Sequence, residues 1–447
     1  MVFTAVVMTE GNIFEGVDNL IERVELTFVN TTPWWGGNEF GYTFDDDGNV
    51  TVPSANEIVG RTKWLMRNII AQILGINGFD NIDERFLKEL GTLDNKSKIT
   101  VRVTAYKGEK QSFYFTKKEA YRVFKIIKDK KLNSKFNIII NDEFDTITAG
   151  LKEVSESIVE YLRYFSIPRF FLAHMNRDDP LFYYHNQPAK PKSVRIKVEL
   201  INNGVSDELF DFFKSSLIFT MKYMGIGKAA TRGFGRFALE NDWKFELNQD
   251  LNELLLLGKN ITNSGIIGEI PPCEISVEKI ENPCLYNYKK NKYEQIIIKD
   301  PITYLIAIGV ATLKEAWETS VEDNCAYLSK MYPIWPLGLP RSDKQGLGYL
   351  IKDETKEDPG RRISYITISP ICNGDTCSEI YLIPFIYGED EFRKIELKGK
   401  SSSSSIPKFG MIVPGQGYLN PSNNVRDYVY ATMSWLKFIL GGGCHGQ

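Results

Sequence analysis

The chain has 447 residues, 43% hydrophobic and 13% aromatic, which is enough apolar mass for more than one core. Its formal charge of -3, from 54 basic and 57 acidic side chains, excludes the overall cationic coat of a protein that wraps bare nucleic acid, so any basic surface is local. Six cysteines are too sparse for a disulfide scaffold, the N-terminus lacks a basic-then-apolar leader, and no uncharged apolar run approaches the ~20 residues of a membrane span. The expectation is a cytoplasmic protein in a reducing compartment, with no membrane partner.

In chain order, residues 1–60 carry ten acidic side chains against one basic, Arg23, the pattern of a solvated face or a docking surface. VELTFVN at 24–30 alternates apolar and polar residues and predicts a strand with one buried face. TTPWWGG (31–37) follows it, then a turn built on Asp45, Asp46, Asp47 and Gly48. Ser54 and Glu57 form a capping box for a long helix, with Ile58, Leu65, Ile69 and Ile73 as its apolar stripe and Gly75 as its stop. On that helix Lys63 and Arg67 share a face, where they reach either phosphate or water. Strands are predicted at 98–106 and 194–200, with helices at 116–128 and 149–166 as an insertion between them. His174 and His185 flank an Asp179-Pro180 turn and face each other across the predicted hairpin, a setting for structure or binding more than for acid/base work.

Ser206 caps a further helix that runs to Gly225. The stretch GIGKAATRGFGRFALE (225–240) then interleaves Gly225, Gly227, Gly233 and Gly235 with Lys228, Arg232 and Arg236. Glycines allow close approach of a sugar-phosphate chain and present N–H groups to it, while Lys and Arg add charge and bidentate contacts. A dinucleotide cradle needs a strand before the loop and a helix after it; the order here is the reverse. The alternative is that the basic loop only packs. Residues 257–272 read as a connector between an N-terminal domain (1–256) and a C-terminal one (273–447).

In the C-terminal half, strands are predicted near 273–280, 293–298, 362–369 and 379–386. Asp300-Pro301 starts one helix, and a last helix runs from about Val425 to Leu440. The serine run 401–405 reads as a flexible loop. Trp34, Trp35, Phe170, Phe171, Tyr183 and Tyr184 are candidates for stacking on bases, against the ordinary reading of aromatics as core. Neither a four-ligand metal set nor a nucleophile elbow, Walker sequence or HExxH motif is present, so no catalytic, metal or cofactor site is expected.

The first half therefore reads strand, helix, strand, strand, helix, glycine-rich loop, strand: a split βαβ pattern with a helical insertion. GIGKAATRGFGRF resembles the glycine-rich loop of the RAMP superfamily of CRISPR-associated proteins. TTPWWGG resembles a motif of one of its branches, the first-subunit family of the type III-B, or Cmr, effector complexes. Gly60, Lys63, Trp64 and Arg67 approximate that branch's Gly-x-x-Arg, Trp, Arg helix motif, with Lys in place of Arg and the Trp one place early. GLPR with Arg341 and GRRIS with Arg361 and Arg362 resemble motifs of its second half.

The resemblance implies an α+β fold of two ferredoxin-like (RRM-like) domains in tandem, the second degenerate. It also implies a non-catalytic subunit that contacts the 3′ region of a crRNA and its paired target RNA, among the other subunits of a Cmr complex in antiviral defence. The alternative is a metal-independent endoribonuclease that processes CRISPR transcripts, with Tyr or Lys as its base.

Overall fold

The structure is a computed structural model. It describes residues 22–36, 42–76, 79, 82–91, 95–105, 185–262, 277–287, 292–297, 299–312, 335–337, 341–342, 348–351, 364–386, 395–398, 403–405, 411–413, 417–419 and 425–442. The predicted insertion helices, His174, Phe170, Phe171, Tyr183, Tyr184, Arg361 and Arg362 lie outside these residues.

The N-terminal half is built on β1 (Arg23–Asn30), α1 (Ala55–Leu74), β2 (Ile99–Ala105), β3 (Arg195–Asn202), α2 (Asp207–Phe219) and β4 (Phe237–Leu239). The strands form one sheet in the order β2-β3-β1-β4, with every neighbour antiparallel. This is two interlocked split βαβ units: β1 and β2 flank β3, and β3 and β4 flank β1. Alternation in β1 and β3 sends Phe28, Ile196, Val198 and Leu200 into a core shared with Ile58, Leu65 and Ile69 of α1 and Phe212, Phe213 and Leu217 of α2. The caps of α1 fall where its residue types placed them. Ser54 Oγ accepts from the Glu57 N–H at 3.1 Å, and Gly75 closes the helix at φ +62°. After α2 the helix widens into a single π turn, Thr220–Met224, which ends at Gly225.

A further helix, α3 (Leu247–Thr262), packs its Leu251 and Leu254 into the same core and corrects the predicted connector, since residues 257–262 are helical. Gly258, read as a loop residue, stands where α3 meets α1: a Cβ there would lie 2.7 Å from Ile73 Cδ1.

The C-terminal half contains β5 (Glu278–Ile280), β6 (Cys284–Asn287), β7 (Lys292–Gln295), α4 (Pro301–Thr312), β8 (Arg341–Ser342), β9 (Gly348–Ile351), β10 (Ile366–Cys372), β11 (Cys377–Pro384), β12 (Ile395–Lys398), β13 (Ser403–Ser405), β14 (Met411–Val413), β15 (Gly417–Leu419) and α5 (Val425–Leu440). β10, β11 and β5 form an antiparallel sheet, and Ile366, Ile368, Ile380 and Leu382 bury with Tyr304 and Ile308 of α4 and Val429 and Leu436 of α5. Asp300 caps α4 as predicted, its carboxylate accepting from the N–H groups of Ile302 at 2.8 Å and Thr303 at 3.0 Å. Part of the serine run is strand, because Ser403–Ser405 pair with Glu396–Lys398, where backbone and not side chains makes the ladder. Cys372 and Cys377 are joined in a disulfide that closes the β10–β11 hairpin, a pairing the sparse cysteines did not announce.

The halves interdigitate. Ile371, Ile383 and Phe385 belong to the N-terminal core, Trp64 of α1 meets Phe385 edge-on at 4.9 Å, and Lys192 pairs with Asp375 in the hairpin turn.

Candidate nucleic-acid interface

The glycine-rich loop lies where the predicted order placed it, after the α2 helix and before β4, and residues 31–36 run alongside it. Hydrogen bonds knit the two segments. Thr31 N–H donates to Arg236 O (2.8 Å), Gly235 N–H to Pro33 O (2.9 Å), Lys228 N–H to Trp35 O (2.6 Å), and Arg236 N–H to Thr32 Oγ1 (3.0 Å), whose own hydroxyl donates to Gly233 O (2.8 Å). Trp34 and Trp35 are buried beneath this knot, Trp34 beside Phe237 and Trp35 beside Phe234. They are packing residues here and offer no ring face to a base.

Each of the four glycines has positive φ, from +64° at Gly235 to +95° at Gly233. The close approach they allow is made by the protein itself. A Cβ at Gly235 would fall 1.9 Å from Ile226 O, at Gly225 2.1 Å from Arg236 Nη1, at Gly227 2.5 Å from Trp35 O, and at Gly233 2.7 Å from Leu305 and Pro370 of the C-terminal half. At all four positions the space a side chain would take is filled by carbonyls, a guanidinium or apolar side chains of the protein itself.

The expected role of Arg236 in RNA contact is corrected. It is fully buried, and its Nη1 donates to Met224 O (2.7 Å), Ala230 O (2.8 Å) and Phe234 O (2.9 Å). Its Nη2 donates to Ile368 O (2.9 Å) and its Nε to Ser369 Oγ (3.2 Å), both on β10. Burial, and then the neighbouring Arg61 guanidinium, push its pKa well below the usual arginine range. The five donor contacts compensate that desolvation and tie the loop to the C-terminal sheet. No phosphate can reach this side chain.

Lys228 and Arg232 are different, because both are partly exposed at the loop's tip. Lys228 Nζ donates to Asn186 Oδ1 at 2.9 Å and sits 5.3 Å from the centre of the Trp35 ring, and partial burial lowers its pKa. Arg232 ends a short 3₁₀ turn, Ala230–Arg232, entered through Ala229 at φ +57°.

On α1 the predicted pair is also held by protein. Lys63 Nζ donates to Gly91 O at 2.5 Å, and its pKa is lowered, first by burial. Arg67 grips both carboxylate oxygens of Asp83, Nε to Oδ1 at 2.8 Å. Arg341 begins β8.

The outer face of the N-terminal sheet carries ion pairs: Lys197 with Glu25 at 2.6 Å, Arg102 with Glu199 at 3.4 Å, and Arg23 with Glu199. The only aromatics in β1 to β4, Phe28 and Phe237, are buried, so among the described residues these strands present no ring on which an RRM-type sheet would stack bases. His185 is buried, with Nδ1 3.1 Å from Phe44 O and its ring stacked on Tyr42, a structural setting. Among the described residues no group of three His, Cys, Asp or Glu is placed to hold a metal, and no helix is long and apolar enough to cross a membrane.

Residues 27–238 match the RAMP superfamily, a span that opens in β1 and closes in β4, just past the glycine-rich loop. Among solved structures, the chain is similar to one from a type III-B Cmr-beta complex bound to cognate target RNA and AMPPnP in the presence of ssDNA. That alignment has 13% identity and a TM-score of 0.46, and covers 93% of this chain and 99% of the other. It is also similar to apo Cmr1 from Pyrococcus furiosus, with 15% identity, 82% and 89% coverage and a TM-score of 0.37. No curated protein matches the chain.

Proposed function

From the RAMP-superfamily match over residues 27–238, we propose that the chain is a non-catalytic RNA-binding subunit of a type III-B CRISPR effector complex in the cytoplasm. In this reading it contacts the 3′ region of the crRNA and the paired target RNA among other Cmr subunits, in antiviral defence. It consists of two ferredoxin-like domains in tandem, and the sheet order β2-β3-β1-β4 supports that description for the first. Guide and target read each other's sequence by pairing, and the protein holds backbone.

The observation that carries the reading is the loop's division of labour. Its glycines and Arg236 fix a rigid base, and that base presents Lys228 and Arg232 at a partly exposed tip. Two cations on a fixed frame suit phosphate contacts that are independent of sequence.

Affinity purification of the tagged chain from its native cell, with sequencing of bound RNA, tests this directly. Enrichment of CRISPR guide RNA together with other effector subunits is expected; recovery of the chain without either defeats the proposal. Incubated alone with repeat RNA, with or without divalent metal, the protein is expected to leave it intact, and site-specific cleavage would establish the endoribonuclease reading instead.

A further inference from the structure

Glu57 stands at the third position of α1, where a capping-box glutamate normally reaches back to the N–H of its own cap. Here the carboxylate turns away: its Oε1 accepts from the backbone N–H of Gly227 at 2.7 Å, across 170 positions of sequence. Glu57 and Gly227 are both partly exposed, and Lys228 follows immediately. Only glycine can present an N–H there, since φ is +88° and any Cβ would collide with Trp35 O. Beside the same glycine lies the Trp34 indole N–H, fully buried and without a hydrogen-bond partner among the described residues, 3.1 Å from where that Cβ would be. The loop thus keeps an unspent donor next to the one N–H that is capped by a carboxylate.

We propose that Glu57 is a placeholder for phosphate: in the RNA-free chain its carboxylate occupies the anion position at Gly227, and an RNA phosphodiester displaces it. A phosphate oxygen accepts from an amide N–H as a carboxylate oxygen does, and the two anions cannot share one donor beside Lys228 without repulsion. The exchange gives the loop a built-in threshold, so that a backbone bound through several phosphates displaces Glu57 and a lone anion does not. This inference rests on the RNA-binding reading above and adds the residue that opposes it.

Glu57→Gln separates the two roles of the side chain, because the amide oxygen can still accept from Gly227 while the charge is gone. With a single-stranded RNA oligonucleotide at low salt, the variant is expected to bind about fivefold tighter than the parent protein, with a melting temperature close to the parent's. That gain is expected to shrink as salt rises and to vanish when Lys228→Ala and Arg232→Ala are added. Glu57→Gln binding no tighter than the parent, while Lys228→Ala/Arg232→Ala binds more weakly, overturns the placeholder and leaves the RNA site standing. A folded Lys228→Ala/Arg232→Ala protein with undiminished affinity removes the loop from the site and overturns both.

Discussion

The base and the tip of the glycine-rich loop are made of the same residue types and do opposite things. At the base, Gly225, Gly233, Gly235 and Arg236 face inward, and every close approach a glycine permits is taken by a carbonyl, a guanidinium or a C-terminal side chain. At the tip, Lys228 and Arg232 remain within reach of solvent, although Arg232 is only four residues from the buried Arg236. A glycine-rich, arginine-rich stretch is therefore not one anion-binding surface. It is an anchor that costs desolvation and a small charged platform that the anchor holds still.

The widest separation between base and tip is expected from Arg236→Met. Removing the guanidinium takes a donor from the carbonyls of Met224, Ala230, Phe234 and Ile368 and from the Ser369 hydroxyl, of which Met224 O keeps Arg61 Nη2 and Ala230 O keeps the Gly233 N–H. A loss of about 4 kcal/mol in unfolding free energy is expected from the broken bonds to both halves and the acceptors left unsatisfied. Chemical denaturation checks it. A variant with unchanged stability and weakened RNA binding would move Arg236 from the anchor to the platform.

Gly235→Ala comes next. The added methyl meets Ile226 O at 1.9 Å in a backbone held at φ +64°. Left-handed strain alone is worth about 1–2 kcal/mol, and the collision adds to it, so a loss of about 3 kcal/mol is expected in the same measurement. An alanine variant as stable as the parent would mean that the loop is not fixed as described.

Changing both Lys228 and Arg232 to alanine should reverse the balance. Their side chains are partly exposed, so the stability change is expected to stay below about 1 kcal/mol. Affinity for single-stranded RNA should fall across sequences, and the slope of log affinity against log salt should flatten by roughly 0.7 for each phosphate no longer neutralised. Fluorescence anisotropy at several salt concentrations reads the slope, and a slope equal to the parent's breaks the distinction between tip and base.

How far the residues alone could reveal this depends on which partner each signal needs. α1 was legible to its caps, because Ser54 and Gly75 act within a few residues of themselves. The order of β1 to β4 followed from alternation and from helices placed between strands. α3 was missed because Gly258 and Asn260 imitate a loop, and only the approach of Ile73 on α1 explains the glycine. The capping box was half right: Ser54 caps as read, but Glu57 finds Gly227, a partner no local rule names. Arg232 and Arg236 were read alike for the same reason, since the β10 acceptors that help bury one of them lie more than a hundred residues away.

The smallest effect is expected on α1, where Arg67 tests whether the platform extends beyond the loop. Its guanidinium is engaged by both oxygens of Asp83, and both side chains are near 30% exposed, so water screens the pair. Partly exposed ion pairs contribute about 0.5–1 kcal/mol, and Arg67→Ala should cost no more than that. If Asp83 already satisfies the cation, RNA affinity should stay at the parent's value, and Arg67→Ala/Asp83→Ala should be little less stable than either single change, because the pair's energy is lost only once. A fall in RNA affinity for Arg67→Ala, with stability unchanged, would show that the guanidinium leaves Asp83 for phosphate. The basic face of α1 would then join Lys228 and Arg232 in one surface, and the contrast between a buried base and a narrow tip would give way to a wider site.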